Sequence, residues 1–194
     1  MKIEIICVAY RRAIPLRIMI DCFLVQTNPN WSMHIVHDGP APDDVIDVIA
    51  LYDDPRITFC ETPQINGLWG HPNRRWMLEQ LPINGEDYVL ITNDDNYYVP
   101  KFVELVLNEV RKNVGFIYCN TVHSYMCYDV LVTRIKECSI DIGSFVVRLD
   151  VAKKIGFQHM YETADGRYAE ECAVICLVRK LKLIHIDKPI FIHN

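Results

Sequence analysis

The stretch YVLITNDDNYYVP, Tyr88 to Pro100, sets the apolar run Tyr88-Val89-Leu90-Ile91 directly before Asn93, Asp94, Asp95 and Asn96. A short apolar run of this kind reads as a buried strand, so a strand here ends in two adjacent carboxylates. Such groups repel each other unless a cation, a protein base or solvent neutralises them. One reading is a divalent metal that holds a phosphorylated ligand. The other is a solvated turn, in which Asp and Asn serve as ordinary turn and capping residues and Pro100 opens the next helix.

Outward from this strand the chain alternates apolar runs with amphipathic segments. Lys2 to Ala9 predicts a buried strand, and Ile14 to Gln26 carries Leu16, Met19, Ile20, Phe23 and Leu24 at helical spacing. Ser32 to His37 predicts a second strand, ending at Asp38-Gly39, and a helix follows from Asp43 with Val45, Val48, Ile49 and Tyr52 on one face. Next come a short strand at Ile57 to Glu61, a Gly/Pro/Asn loop at Thr62 to Pro72, a helix at Asn73 to Leu81, the strand Asp87 to Thr92 and a helix from Pro100 to Arg111. Strands separated by helices of this length predict an α/β fold: a mostly parallel central sheet with helices on both faces.

The second half is less regular. Strands are expected at Val114 to Asn120 and Phe145 to Val147, helices at Leu149 to Ile155 and Ala169 to Leu181, and closing strands at Leu183 to Ile186 and Ile190 to His193. Thr121 to Asp141, rich in His, Tyr, Cys and Met without clean periodicity, is expected to cross the surface near the site. No internal repeat or linker-like composition divides the chain, so residues 1–194 are expected to form one domain.

With 194 residues, 51% of them hydrophobic, the chain can bury a sizeable core. Twenty Lys and Arg against 25 Asp and Glu, with no basic block, argue against nucleic acid as a partner. The start, MKIEIICVAYRR, is too briefly apolar and too soon charged for a signal peptide, and no segment reaches the roughly 20 apolar residues of a membrane span. Of eight cysteines, Cys7 falls in a strand and Cys22, Cys172 and Cys176 in helical patterns, where the thiol acts as a small apolar filler. This usage predicts a reduced, cytoplasmic protein, with peripheral attachment to a membrane left open. Cys119, His123, Cys127 and Cys138 form the one grouping with zinc-binding chemistry, but they lack a CxxC knuckle.

A parallel sheet gathers ligands at the carboxyl ends of its strands, where the strand order reverses. Tyr10-Arg11-Arg12, Asp38-Gly39 and Asn93-Asp94-Asp95 all follow predicted strands and can therefore meet at one edge. There is no GxGxxG after the first strand and no GxxxxGK[ST], so holding phosphate falls to metal and arginine.

The run Gln26-Thr27-Asn28-Pro29-Asn30-Trp31, followed by His37-Asp38-Gly39, resembles the N-terminal signature of family 2 glycosyltransferases with the GT-A fold. VAYRR after the first strand, the loop GLWGHPNRRWML, the acidic strand end and a late acidic pair extend the resemblance over essentially the whole chain. The resemblance implies a single Rossmann-like GT-A domain. It implies inverting, metal-dependent transfer of a sugar from a nucleotide diphosphate donor, of the UDP type, to a glycan or other hydroxyl acceptor. Members of the family often continue into further domains, so additional domains are compatible with it. A non-catalytic module that binds sugar nucleotide or carbohydrate is the alternative function.

Residue by residue, the resemblance implies that Asp38 contacts the donor base, with Ala9, Tyr10 and Arg12 around it. The DxD motif of the family aligns with Asn93-Asp94-Asp95, so that Asp95 is the metal ligand, with Asp94 as a second ligand; on the donor, either Asp94 takes over the role of the missing first carboxylate or the amide of Asn93 makes the ribose contact. His193 resembles the C-terminal histidine that completes such a site, which would hold Mn2+ or Mg2+. Arg74 and Arg75 are placed to reach the diphosphate, one of the two being a surface charge. The base that takes the acceptor proton is expected at Glu171, with Glu170 and then Asp165 as the other candidates. Trp69, Gly143 and Ser144 are expected on the acceptor side.

Overall fold

The computed structural model describes residues 1–84, 87–110, 113–161 and 164–194. The first half alternates as the sequence predicts: β1 (Ile3–Ala9), α1 (Ala13–Leu24), β2 (Trp31–His37), α2 (Asp43–Ile49), β3 (Ile57–Glu61), α3 (His71–Gln80) and β4 (Tyr88–Asn93). Then follow β5 (Tyr97–Tyr98), α4 (Phe102–Glu109), β6 (Val114–His123), β7 (Val130–Leu131), β8 (Phe145–Arg148), α5 (Leu149–Ile155), α6 (Ala164–Val178) and β9 (Lys182–His193). The expected last residue of the fourth helix, Arg111, lies outside the described residues.

These strands form one sheet in the order β3-β2-β1-β4-β8-β6-β9-β5, with β7 paired to β6. The β3-β2-β1-β4 half is parallel throughout. Beyond it β8 runs antiparallel between β4 and β6, and β9 returns parallel to β6. The chain therefore has the expected GT-A architecture, with β8 and the two short strands β5 and β7 running antiparallel in its second half. The two expected closing strands are one strand, β9, whose register against β6 slips between Cys119 and Asn120 and again at Thr121. Each slip is a bulge that lets the pairing continue past the kink.

Side-chain alternation splits the core in two. Ile3, Ile5, Cys7 and Ala9 of β1 face one layer, with Leu16, Met19, Ile20 and Phe23 of α1 and Phe102, Val103 and Val106 of α4. On the opposite face Ile6 joins Val36, Met77 and Leu78 of α3, Val151 of α5 and Tyr168 and Cys172 of α6. A strand buried on both faces is mostly apolar, which is why β1 reads as an apolar run broken only by Glu4, whose buried carboxylate is paired with Lys2 and His34. The strand sequence runs outward from β1 to β2 and β3, then jumps back to place β4 on the other side of β1. The order reverses between β1 and β4, and the crevice above their carboxyl ends is where a ligand can enter.

The helix α6 starts five residues earlier than its apolar pattern indicates. Gly166, which reads as a helix breaker, sits in its first turn because the backbone at Glu137 comes so close that a Cβ would lie 2.6 Å from the Glu137 Cα. This early start puts Asp165 in the first turn and moves Glu170 and Glu171 to the second.

Candidate active site

A cavity of about 610 Å3 opens at the β1/β4 reversal. Its walls take Ala9, Tyr10 and Arg12 from the end of β1, Asp38 from the end of β2, and Asn93 and Asp95 from the end of β4. Trp69, His71 and Arg74 close it from the loop and helix of α3, Asp165 from α6 and His193 from β9. Segments 184 residues apart in sequence thus converge because one sheet edge carries them all.

The acidic strand end is neutralised by a protein base. The Arg12 guanidinium bridges Asp94 and Asp95, one Nη to each carboxylate. Asp94 also accepts the Tyr10 backbone N–H at 3.0 Å and is fully buried. Burial pushes Asp94 up to about 6 although Arg12 and the Tyr10 amide pull it down. The half-exposed Arg12 also feels burial, yet the two carboxylates raise it further, so the guanidinium stays charged. Both groups lose hydration: for the buried Asp94 that loss outweighs Arg12, whereas for the half-exposed Arg12 the two carboxylates together outweigh it. Asp94 therefore anchors the Tyr10–Arg12 loop and does not face the cavity, whereas Asp95 does.

Asp38 is a loop organiser as well as a wall residue. Its Oδ1 accepts from the Asn66 N–H at 2.8 Å and Asn73 Nδ2 at 3.0 Å, and its Oδ2 from the Gly67 N–H at 2.9 Å. A carboxylate offers about four acceptor sites, so one remains for a ligand N–H. Asn66 and Asn73, which also bond each other at 2.7 Å, have no distinguishing pattern in the sequence. His37 fixes the neighbouring loop: its Nε2 accepts the Arg11 N–H at 3.0 Å, which leaves Nδ1–H to donate to the Gly39 carbonyl at 2.7 Å.

Arg74 is almost wholly buried and donates from Nη1 to Asp165 Oδ1 at 2.8 Å and from Nη2 to Asn93 Oδ1 at 2.6 Å. His71 Nδ1 lies 2.9 Å from the same Nη1, and its Nε2 is 3.0 Å from the Tyr161 carbonyl. Burial, with the Arg74 charge, lowers the His71 pKa. Arg75 points outward to Glu79 at 3.1 Å and is the surface charge of the pair. His71 was not marked by any sequence pattern; its proximity to the Gly-rich loop is the one signal that could have found it.

The loop before α3 carries positive φ at four successive residues, Gly67 (64°), Leu68 (50°), Trp69 (54°) and Gly70 (78°). This left-handed turn is costly for Leu and Trp, and it presents a largely exposed Trp69 at the cavity mouth. Gly70 has no alternative: a Cβ there would lie 2.5 Å from Val8 Cγ1 at the end of β1. Gly70→Ala, combining a positive φ with overpacking, is expected to cost about 2–4 kcal/mol in chemical denaturation. A midpoint unchanged from wild type would show that the loop does not need this close approach.

Three sets of expected residues stand elsewhere. Glu171 lies 3.0 Å from His159 and 3.4 Å from Arg167, and Glu170 accepts the Glu137 N–H at 2.8 Å; neither lines the cavity. Gly143 and Ser144 are buried, where the Gly143 carbonyl accepts from Tyr98 Oη at 3.0 Å and Ser144 Oγ donates to the Asp141 carbonyl at 2.7 Å. Gly143 is Gly because Phe191 and Tyr98 leave no room for a Cβ, so these two residues pack the core. The Cys119 group also dissolves. Cys119 is buried with its thiol pushed up to about 12 by burial, Cys127 and Cys138 are exposed, and His123 turns instead to Asp141 and His193.

The model of the family described as Glycosyl transferase family 2 matches residues 4–167. The chain belongs to glycosyl transferase family 2. Among solved structures this family 2 chain is similar to S. aureus TarS residues 1–349, with TM-score 0.78, 13% identity, and coverage of 100% of this chain and 60% of that one. The same TarS segment in complex with UDP-GlcNAc gives TM-score 0.76 and 14% identity, covering 100% and 58%. The mannosyltransferase PcManGT from Pyrobaculum calidifontis, in complex with GDP-Man and Mn2+, gives 0.71 and 13%, covering 99% and 56%. At such identities the likeness shows the fold, and the chain spans less than two thirds of the length of each of these relatives. No curated protein matches the sequence. Among the described residues no helix is long and apolar enough to cross a membrane.

A divalent metal of the kind implied for this fold suits the residues at the cavity. Asp95 and His193 line the same cavity and supply an oxygen and a nitrogen donor, a set that favours Mn2+ over Mg2+. Burial pulls the His193 imidazolium down, and Asp141, at 3.2 Å, more than restores it, so its pKa ends raised.

Proposed function

We propose that this family 2 chain is a catalytic domain, spanning residues 1–194, of a metal-dependent inverting glycosyltransferase that uses a UDP-type donor and a hydroxyl acceptor. The observation that carries the proposal is the convergence of Asp38, Asp95, Arg74, Asp165 and His193 on one cavity at the strand-order reversal. The TarS complex with UDP-GlcNAc supports the base class, and the eight free cysteines suit a reducing, cytoplasmic setting.

In this reading the remaining acceptor site of Asp38 takes a nucleobase N–H, and Tyr10, stacked on His37 with ring centroids 6.2 Å apart, covers the base. Asp95 and His193 would hold a divalent metal, which supplies positive charge to the diphosphate as the glycosidic bond breaks. Arg74 holds Asp165 by one oxygen, Oδ1, and leaves the other free. The acceptor oxygen attacks the anomeric carbon, the bond from that carbon to the diphosphate oxygen breaks, and the acceptor proton passes to Asp165. Because attack and departure occur on opposite faces, the anomeric configuration inverts. Trp69 offers an apolar face at the cavity mouth for the acceptor.

The test is a thermal-shift panel of UDP, GDP, CDP and dTDP with and without Mn2+, run on the wild type and Asp95→Ala. At a ligand concentration of ~100 Kd the native state gains about 2.7 kcal/mol, which for a domain of this size raises Tm by roughly 5–10 °C. The expected result is a Mn2+-dependent shift with UDP that Asp95→Ala loses. No shift with any nucleotide would overturn the donor site, and a shift without sugar transfer would leave a binding module.

A further inference from the structure

The parallel pairing of β6 with β9 sets His123 directly beside His193 at the last register position of the two strands. Cross-strand partners in a parallel pair project from the same face, and here the two imidazole rings stand 5.3 Å apart at 67°. Asp141, just before the buried turn that leads into β8, puts one carboxylate oxygen against each ring: Oδ2 is 3.1 Å from His123 Nε2 and Oδ1 is 3.2 Å from His193 Nδ1. These separations would suit hydrogen bonds, but the directions do not. His123 Nδ1 and Nε2, Asp141 Oδ2 and His193 Nδ1 are all buried without a hydrogen-bond partner, and His123 is more than nine-tenths buried.

Buried polar atoms without hydrogen bonds are costly, and three of these, His123 Nε2, Asp141 Oδ2 and His193 Nδ1, gather at one place and call for a shared occupant. The ligand atoms of the three residues lie within 4.8 Å of one another. Bonds of about 2.0–2.2 Å from zinc to imidazole nitrogen or carboxylate oxygen place neighbouring ligand atoms roughly 3.0–3.5 Å apart; the two histidine–aspartate separations, 3.1 and 3.2 Å, fall in that range, and the whole set lies within 4.8 Å. We infer that His123, Asp141 and His193 form a second divalent transition-metal site, of the zinc class, at the acceptor edge of the cavity. Two imidazoles and one carboxylate select zinc or a similar ion over magnesium and calcium, which prefer oxygen alone. Three protein ligands leave a coordination position for water or a ligand group. Tyr125 stands tilted to His123 and edge-on to His193, with centroids 5.0 and 5.4 Å away, and covers the site from outside.

The site shares His193 with the donor metal set but uses neither Asp94 nor Asp95. This separates the two experimentally. Equilibrium dialysis against Zn2+ alone, without nucleotide, is run on a background carrying Cys127→Ser and Cys138→Ser, so that exposed thiols do not compete. The expected result is one tightly held zinc that His123→Leu and Asp141→Asn each weaken at least tenfold and Asp95→Ala leaves unchanged. Co2+ in place of Zn2+ should give visible ligand-field bands that follow the same pattern. Zinc lost with Asp95→Ala but kept in His123→Leu and Asp141→Asn would overturn the inference, as would no stoichiometric zinc in the parent. Circular dichroism checks folding, and should His123→Leu unfold, the near-isosteric Asp141→Asn decides. With nucleotide absent, the outcome stands apart from the donor assignment.

Discussion

Asp165→Asn is expected to lower kcat by about two to four orders of magnitude, the range that a positioned general base contributes, while the nucleotide-induced Tm shift persists. The Asn side chain keeps the shape of Asp165, and its oxygen can still accept from Arg74 Nη1 in place of the 2.8 Å ion pair. What it loses is the ability to take a proton. Loss of kcat with little change in donor binding is therefore the signature of a base and not of a distorted pocket. The companion variant is Glu171→Gln. Glu171 is held by His159 and Arg167 outside the cavity, so its loss should leave most of the activity. If Glu171→Gln removes turnover and Asp165→Asn does not, the base is Glu171 and α6 must approach the acceptor by its second turn.

Arg12→Ala should be the most destabilising change at the site, by about 3–5 kcal/mol at pH 8, because it leaves Asp94 buried and unpaired. The pH dependence gives the mechanism. Asp94 already titrates near 6 in the folded protein, above its ordinary 3.8, so the native state binds more protons than the unfolded one between about pH 4 and 6. Stability from this group is thus fully present at acid pH and is lost as pH rises through 6. Removing Arg12 removes the charge that pulls Asp94 down, which raises the folded pKa further and extends the loss to higher pH. The penalty of Arg12→Ala should shrink markedly between pH 8 and pH 5, measured by urea denaturation at both. A penalty equal at the two values would mean that Arg12 acts through packing alone.

The strand and helix order of the first half was legible because each element declares itself locally. Ile3 to Ala9 is apolar but for Glu4 since both faces of β1 are covered, and α1 carries its apolar stripe at helical spacing. The convergence of Tyr10–Arg12, Asp38 and Asn93–Asp95 followed from one topological rule about strand ends. The misread elements are those whose cause lies far away in sequence. Gly166 looks like a loop residue, and only the approach of Glu137 explains its place in a helix. Gly143 looks like a point of ligand approach, and the rings of Phe191 and Tyr98 make it a packing residue.

By itself the sequence determined the strand–helix alternation, the edge where a ligand enters and the carboxylates found there, because hydrophobic periodicity and strand ends are local properties. The tertiary structure decided which carboxylate faces the cavity, which of Arg74 and Arg75 is buried, and that His123, Asp141 and His193 meet. Those outcomes depend on the direction of each side chain and the partner it finds across the sheet. Desolvation and charge act between residues as far as 91 positions apart, and no local pattern encodes them.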